Sequence, residues 1–276
     1  MHQVATDFRA VCRRWREHRK LSQLELALAA NVSQRHLSWL ETGRSKPSRD
    51  MVVRLAEAMA VPLRERNVML RAAGFTPAYR ESALDEPAMA PVLDALNQVL
   101  DHHDPLPAVV VDRAWNVVRR NTAAGLLLSL GGDPGAMLEA IGGDGQFNLA
   151  LLTLHPEGLR PFIANWDQAA PAFVRRLQHE ALASGDPALQ ARFAEYIALA
   201  DLPDTGETVT EALLPVLPLE VCAGPVSLSL FSVISTFGTP QDVTTDELRI
   251  ETFYPTDAAT RAFFEQAATL GAPQNG

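Results

Sequence analysis

Residues 21–48, LSQLELALAANVSQRHLSWLETGRSKPS, place two short apolar-periodic runs only two residues apart, and that spacing decides the fold of the N-terminal region. Ser22 and Ser33 each precede a run, where a hydroxyl accepts from the free N–H groups of a first helical turn. They predict helices over Gln23–Ala30 and Gln34–Glu41, separated by Asn31 and Val32, with Thr42-Gly43 closing the second. Working outward, Phe8, Val11, Cys12 and Trp15 fall at helical spacing and predict a helix from Asp7 to His18. Pro47-Ser48 starts a fourth helix that runs to Met59, and Pro62 opens a fifth that stops before Gly74. Residues 1–75 therefore read as a five-helix, all-α helix-turn-helix domain.

The charge is divided along the chain. The 276 residues carry a net charge of −9, yet residues 1–80 hold 15 Lys and Arg against 7 Asp and Glu, while the remainder holds 9 against 26. A segment of +8 followed by one of −17 points to a phosphate-binding N-terminal surface and an acidic region that stays clear of it.

At about 100° per residue, Gln34, Arg35, Ser38 and Thr42 share one face of the second run, and His36, Leu37, Leu40 and Glu41 the other. Glutamine matches the N6/N7 edge of adenine and arginine the O6/N7 edge of guanine in the major groove. Gln34 and Arg35 are the first candidates for base contacts. Gln23 and Ser33 at helix starts, and Arg44, Lys46 and Arg49 after the turn, are placed to hold phosphates and set register. The expected partner is a double-stranded DNA operator. A homodimer reading half-sites roughly 34 Å apart is expected, because one half-site gives limited specificity.

The stretch RRWREHRKLSQLELALAANVSQRHLSWLETGRSKPS, followed by LAEAM, resembles the Cro/repressor-type (XRE) helix-turn-helix family. The resemblance implies a transcriptional regulator, and a pairing of Arg16 with Glu41. Trp39 departs from the family's usual polar residue, and packing against a neighbouring helix is the favoured expectation over stacking on a sugar or thymine methyl.

Residues 76–90 read as a linker, and residues 91–276 as an α+β domain. A helix is expected over Val92–Leu100, followed by a strand pair, PAVVVD and AWNVVRRN, hinged near Arg113. Glycine pairs and prolines between 121 and 200 predict irregular helices and loops. Strands are expected at Glu211–Val221, Val226–Thr236 and Glu247–Phe253, with a last helix from Asp257 to Leu270. The segments PLPAVVVDRAWNVVRRNTAA, LHPEGLRPFIANW and FGTPQDVTTDELRIETFYPTDAAT resemble the MmyB-like ligand-binding domain. That resemblance implies a PAS-like sheet around an apolar pocket and a small, fatty-acid-like ligand. Arg160 is the expected carboxylate partner, with Asn165, Trp166, Trp115 and Asn121 as further pocket candidates. A purely structural role, Arg160 paired with Asp167 or another carboxylate and Trp166 in the core, carries equal weight, and Asn121 and Trp115 share that ambiguity; a C-terminal domain that only dimerises the protein is a further alternative.

Other chemistry finds no support in the sequence. Cys12 and Cys222 lack a CxxC partner and are expected to be buried, reduced thiols. His102-His103-Asp104 lacks metal-ligand spacing, and Gly142-Gly143-Asp144-Gly145 lacks the Lys-Ser/Thr of a phosphate loop. The expectation is a non-enzyme with no metal and no cofactor beyond a possible apolar ligand. Without a signal sequence or a run of eighteen apolar residues, no membrane partner is expected and a cytoplasmic location is.

Overall fold

The computed structural model describes residues 7–142, 146–202 and 216–271. The chain forms two compact units, residues 1–83 with 239–246, and residues 84–238 with 247–276.

The first unit contains α1 (Phe8–His18), α2 (Gln23–Ala29), α3 (Gln34–Thr42), α4 (Arg49–Ala58) and α5 (Leu63–Ala72). Each start has a local cause. The side chains of Asp7, Ser33 and Ser48 accept from the N–H groups of Arg9, His36 and Met51, and Ser22 and Glu25 form a reciprocal capping box. Gly43 takes φ 77° at the end of α3, a left-handed turn that glycine enters without steric cost. The apolar faces of all these helices converge on Val11, Trp15, Leu26, Leu37, Leu40 and Leu55.

Helix α5 begins differently. Pro62 offers no side-chain cap, and the N–H of Leu63 instead donates to Asp246 Oδ2 at 3.1 Å, 183 residues along the chain. The segment Thr239–Asp246 thus completes the first unit. Asp242 pairs in parallel with Arg80, its Oδ2 accepts from the N–H of Ser82 at 3.1 Å, and Thr244 Oγ1 donates to the Ser82 carbonyl at 2.7 Å. Buried Asn67 braces the same stretch, accepting from the N–H groups of Ala78 and Tyr79 and donating to the Tyr79 carbonyl. The expected linker is therefore divided. Residues 76–83 are structured within the first unit, and Pro87–Met89 form a 3-10 turn leading into α6 (Ala90–His103) of the second.

The second unit is built on a five-stranded antiparallel sheet of β1 (Ala108–Val111), β2 (Val117–Arg120), β3 (Leu219–Ala223), β4 (Val226–Ser235) and β5 (Arg249–Pro255). Its strand order is β2-β1-β5-β4-β3. Side chains alternate across a strand, which gives the sheet two different faces. Ala108, Val110 and Ile250 pack with Leu96 and Leu100 of α6 on one side, while Val109 and Val111 face the larger cluster around Trp115, Leu177 and Phe193. The expected β1–β2 pair is present. Its turn is held by Asp112, whose Oδ1 accepts from the N–H groups of Ala114 and Asn116, and Trp115 sits there at φ 69°.

The region expected to be irregular contains regular helices: α7 (Thr122–Ser129), α8 (Pro134–Ala140), α9 (Leu149–Leu154), α10 (Trp166–Ser184) and α11 (Pro187–Leu199). Pro134 and Pro187 stand at first helical positions, where a missing N–H costs nothing, so they open helices rather than break them. Strand β3 starts at Leu219, and residues 211–215 of the expected strand lie outside the described residues. The short helix α12 (Val243–Glu247) was not anticipated, and α13 (Ala258–Gly271) is the last described element. Among the described residues no helix is long and apolar enough to cross a membrane.

Candidate functional site

Two surfaces gather the candidate residues, one in each unit. In the first, α3 buries Leu37 and Leu40 and leaves Gln34 and Arg35 exposed, with Ser38 half-buried between. The last turn of α3 is locked by a charge pair. Arg16 donates from Nε to Glu41 Oε1 at 2.7 Å and from Nη2 to Oε2 at 3.0 Å, while Nη1 reaches the Leu21 carbonyl at 2.9 Å. Both charged side chains are largely buried, so the pair fixes the angle of α3 against α1 more than it adds stability. Gln23 Nε2 donates to Glu41 Oε2 at 2.9 Å, which ties its amide into this network.

Ser33 caps α3, and Thr42 Oγ1 donates to the Ser38 carbonyl at 2.7 Å, so both hydroxyls already serve the helix. Arg44, Lys46 and Arg49 are exposed beyond the turn. The core of this unit is formed by other side chains, and the half-buried Trp39 indole carries the Arg35 guanidinium 4.6 Å from its ring centroid. This cation–π contact orients the first-choice base-reading arginine.

In the second unit a cavity of about 300 Å³ lies between the sheet and the helices. Val109, Leu128, Leu149, Leu230 and Phe253 supply much of its apolar wall. Trp115 and Trp166, two of the five expected residues, line it. The other three do not, and each is engaged elsewhere. Arg160 lies over the Trp166 ring at 5.0 Å and donates from Nη1 to the Leu199 carbonyl at 3.3 Å. Asn165 joins the start of α10 to β3, donating to the Pro218 carbonyl and accepting from the Glu220 N–H. Asn121 caps α7, accepts from the Ala108 N–H, and donates to Asp104 and the Leu106 carbonyl. A short polar side chain at the junction of three segments is consumed by their backbone groups.

The polar end of the cavity was not foreseen. Arg176 donates from Nε to Glu180 Oε1 at 3.0 Å and from Nη1 to Glu251 Oε1 at 3.1 Å, and stacks on Trp115 at 4.4 Å. Trp115 Nε1 donates to Glu180 Oε2 at 3.0 Å. The Arg176 Nη2 is buried and has no hydrogen-bond partner among the described residues. The Arg176–Glu180 spacing along α10 was readable as a helical pair. Glu251 arrives from β5, 75 residues later, and only the sheet register brings it there.

The cysteines differ from each other. Burial pushes the Cys12 thiol up to about 12, whereas Cys222 is exposed, against the expectation that both are buried. Among the described residues no cluster of His, Cys, Asp and Glu is arranged to hold a metal.

Comparison with known proteins agrees with this division. Residues 13–66 match the helix-turn-helix family, and residues 92–267 match the family of the MmyB-like transcription regulator ligand binding domain. No curated protein matches the chain. A solved chain titled "Structure of an RNA-binding Light-Oxygen-Voltage Receptor" aligns at 16% identity over 94% of this chain and 63% of its own length. Its TM-score of 0.24 is too low to bear on fold or function. With an XRE-type helix-turn-helix unit ahead of it and a matched domain spanning most of its length, the chain belongs to the MmyB-like transcription regulator ligand-binding family, as a DNA-binding regulator.

Proposed function

We propose that this regulator reads one operator sequence through Gln34, Arg35 and Ser38 of α3, and that a small, largely apolar ligand in the cavity of the second unit controls its affinity for DNA. The observation that carries the reading is the two-sided construction of α3. Leu37 and Leu40 are fully buried and Glu41, near the end of the helix, is clamped by Arg16, while Gln34 and Arg35 are exposed at its start. A recognition helix needs this rigidity on one face and free donors on the other. Exposed Arg44, Lys46 and Arg49 serve phosphates, and a homodimer supplies the second half-site.

The cavity supports ligand control because its apolar walls surround a few fixed polar groups, the common form of a small-molecule site. Selection from a randomised duplex pool, followed by affinity measurement with and without an organic extract of cells that express the protein, tests the whole reading. A twofold-symmetric consensus with extract-dependent affinity is expected. A consensus whose affinity is indifferent to the extract, with no small molecule released on denaturation, would leave the second unit a dimerisation module. Absence of any consensus would remove the base-reading assignment.

A further inference from the structure

Beside the arginine of α3 that reads a base stands an aromatic ring with no place in the core. We propose that Trp39 reads the C5-methyl group of a pyrimidine, thymine in an unmodified operator, on the base pair next to the guanine that Arg35 binds. The inference rests on α3 being the reading helix and Arg35 the reader of guanine, and it adds Trp39 as a specificity-determining residue.

Trp39 follows Arg35 by four residues, about one helical turn, and so lies on the same side of α3. Leu37 and Leu40 hold the other side in the core, and the indole is not among the side chains that form this apolar cluster. A tryptophan gains more than most residues from burial, yet this one stays half-buried on the exposed flank of the helix. Its backbone is held in place. The Trp39 carbonyl accepts from the N–H groups of Arg44 at 2.9 Å and Ser45 at 3.2 Å, which ties the residue to the turn that presents exposed Arg44.

The stack with Arg35 sets the level at which the ring meets DNA. A guanidinium bonded to both O6 and N7 of guanine lies close to the plane of that base pair, so its flat face points along the duplex axis. The ring centroid of Trp39 lies 4.6 Å from the guanidinium carbon, displaced along that axis. Successive bases are about 3.4 Å apart, which puts the indole beside the neighbouring pair. In the major groove the apolar group that a base pair displays is the C5-methyl of thymine. An indole edge against it removes apolar surface of both partners from water, at a position where Arg35 itself makes no hydrogen bond.

The test uses the full-length protein and the duplex selected from a randomised pool. Each thymine of one half-site, on either strand, is replaced in turn by deoxyuridine, which loses the methyl group and keeps O4 and the pairing edge. One thymine, adjoining the guanine whose preference vanishes in Arg35→Ala, should bind about fourfold more weakly as deoxyuridine, the worth of one buried methyl. Trp39→Ala should bind the two duplexes equally. With cytosine at that position, 5-methylation should strengthen binding by a similar factor in the wild type. Each readout is a ratio between duplexes within one protein, which a general loss of stability does not shift. Equal binding of the thymine and deoxyuridine duplexes by the wild type would overturn the proposal while leaving Arg35 as the reader of guanine, and so would a half-site with no thymine beside that guanine. A methyl effect that survives in Trp39→Ala would also overturn it, as would a loss in that variant equal on every duplex, which would place the ring on a sugar. If the selection yields no consensus, the base-reading assignment of α3 falls and that of Trp39 with it.

Discussion

On α3 the arginine best placed to read a base lies on an indole, and the geometry of that contact separates two roles. Stacking uses the flat face of the Arg35 guanidinium and leaves its in-plane N–H groups free for the edge of guanine, while restricting a side chain that otherwise has many rotamers. Arg35→Ala should erase the preference at one operator position, whereas Arg44→Ala should weaken binding to every duplex and reduce the salt slope by about one. Duplex selection and salt titration read the two effects apart; equal losses on all sequences for both variants would refute the division of roles. Trp39→Leu keeps an apolar side chain without the aromatic face, and should loosen the same position that Arg35 reads while Trp39→Phe preserves it. The cysteines give a second contrast at this scale. With the Cys12 thiol pushed by burial from 9.0 to about 12, an alkylating reagent at mild alkaline pH should modify exposed Cys222 and spare Cys12 in the folded protein. Because folding disfavours the Cys12 thiolate, its contribution to stability is intact below pH 9.0 and declines as the pH rises towards 12. Mass spectrometry of labelled peptides and denaturant titrations across that range check both statements.

The elements divide by how far apart in sequence their causes lie. Helices α1 to α4 were legible because each cap acts within three residues of the helix it starts, and the exposure of Gln34 and Arg35 on α3 followed from one helical wheel. The β1–β2 pair was legible for the same reason, as β-branched runs on either side of a turn held by Asp112. Helices were expected after β2, but irregular ones, because a proline looks alike whether it starts a helix or ends one. The cavity's polar end was hidden for a deeper reason, since Glu251 meets Arg176 only once the sheet has set its register. Asn121 and Asn165 were credited with ligand contacts when their amides join separate segments of backbone. Asn121→Ala, which removes the cap of α7 and strands the buried Ala108 N–H, should lower stability by about 2–4 kcal/mol without changing the ligand preference. Asp246→Ala should cost about 1 kcal/mol by uncapping α5. Thermal and denaturant unfolding measure both.

For the whole molecule, the decisive feature is that the DNA-binding unit is discontinuous in sequence. A fragment ending at residue 83 keeps α1 to α5 but loses Thr239–Asp246, with the fully buried Val243 and the cap on Leu63. Those losses are worth on the order of 2–4 kcal/mol, so the fragment should melt at least about 8 °C below the same unit in the intact chain. Calorimetry of the two proteins decides it, and equal melting temperatures would show the segment to be dispensable. The same feature sets a timetable for the newborn protein. Chains commonly fold from the N-terminus as they leave the ribosome, yet here the closing segment emerges about 160 residues after α1 to α5 are out, on the order of ten to thirty seconds at roughly 5–20 residues per second. During that interval the nascent chain carries an incomplete DNA-binding unit, which acquires its last eight residues only after four of the five strands of the second unit have been synthesised.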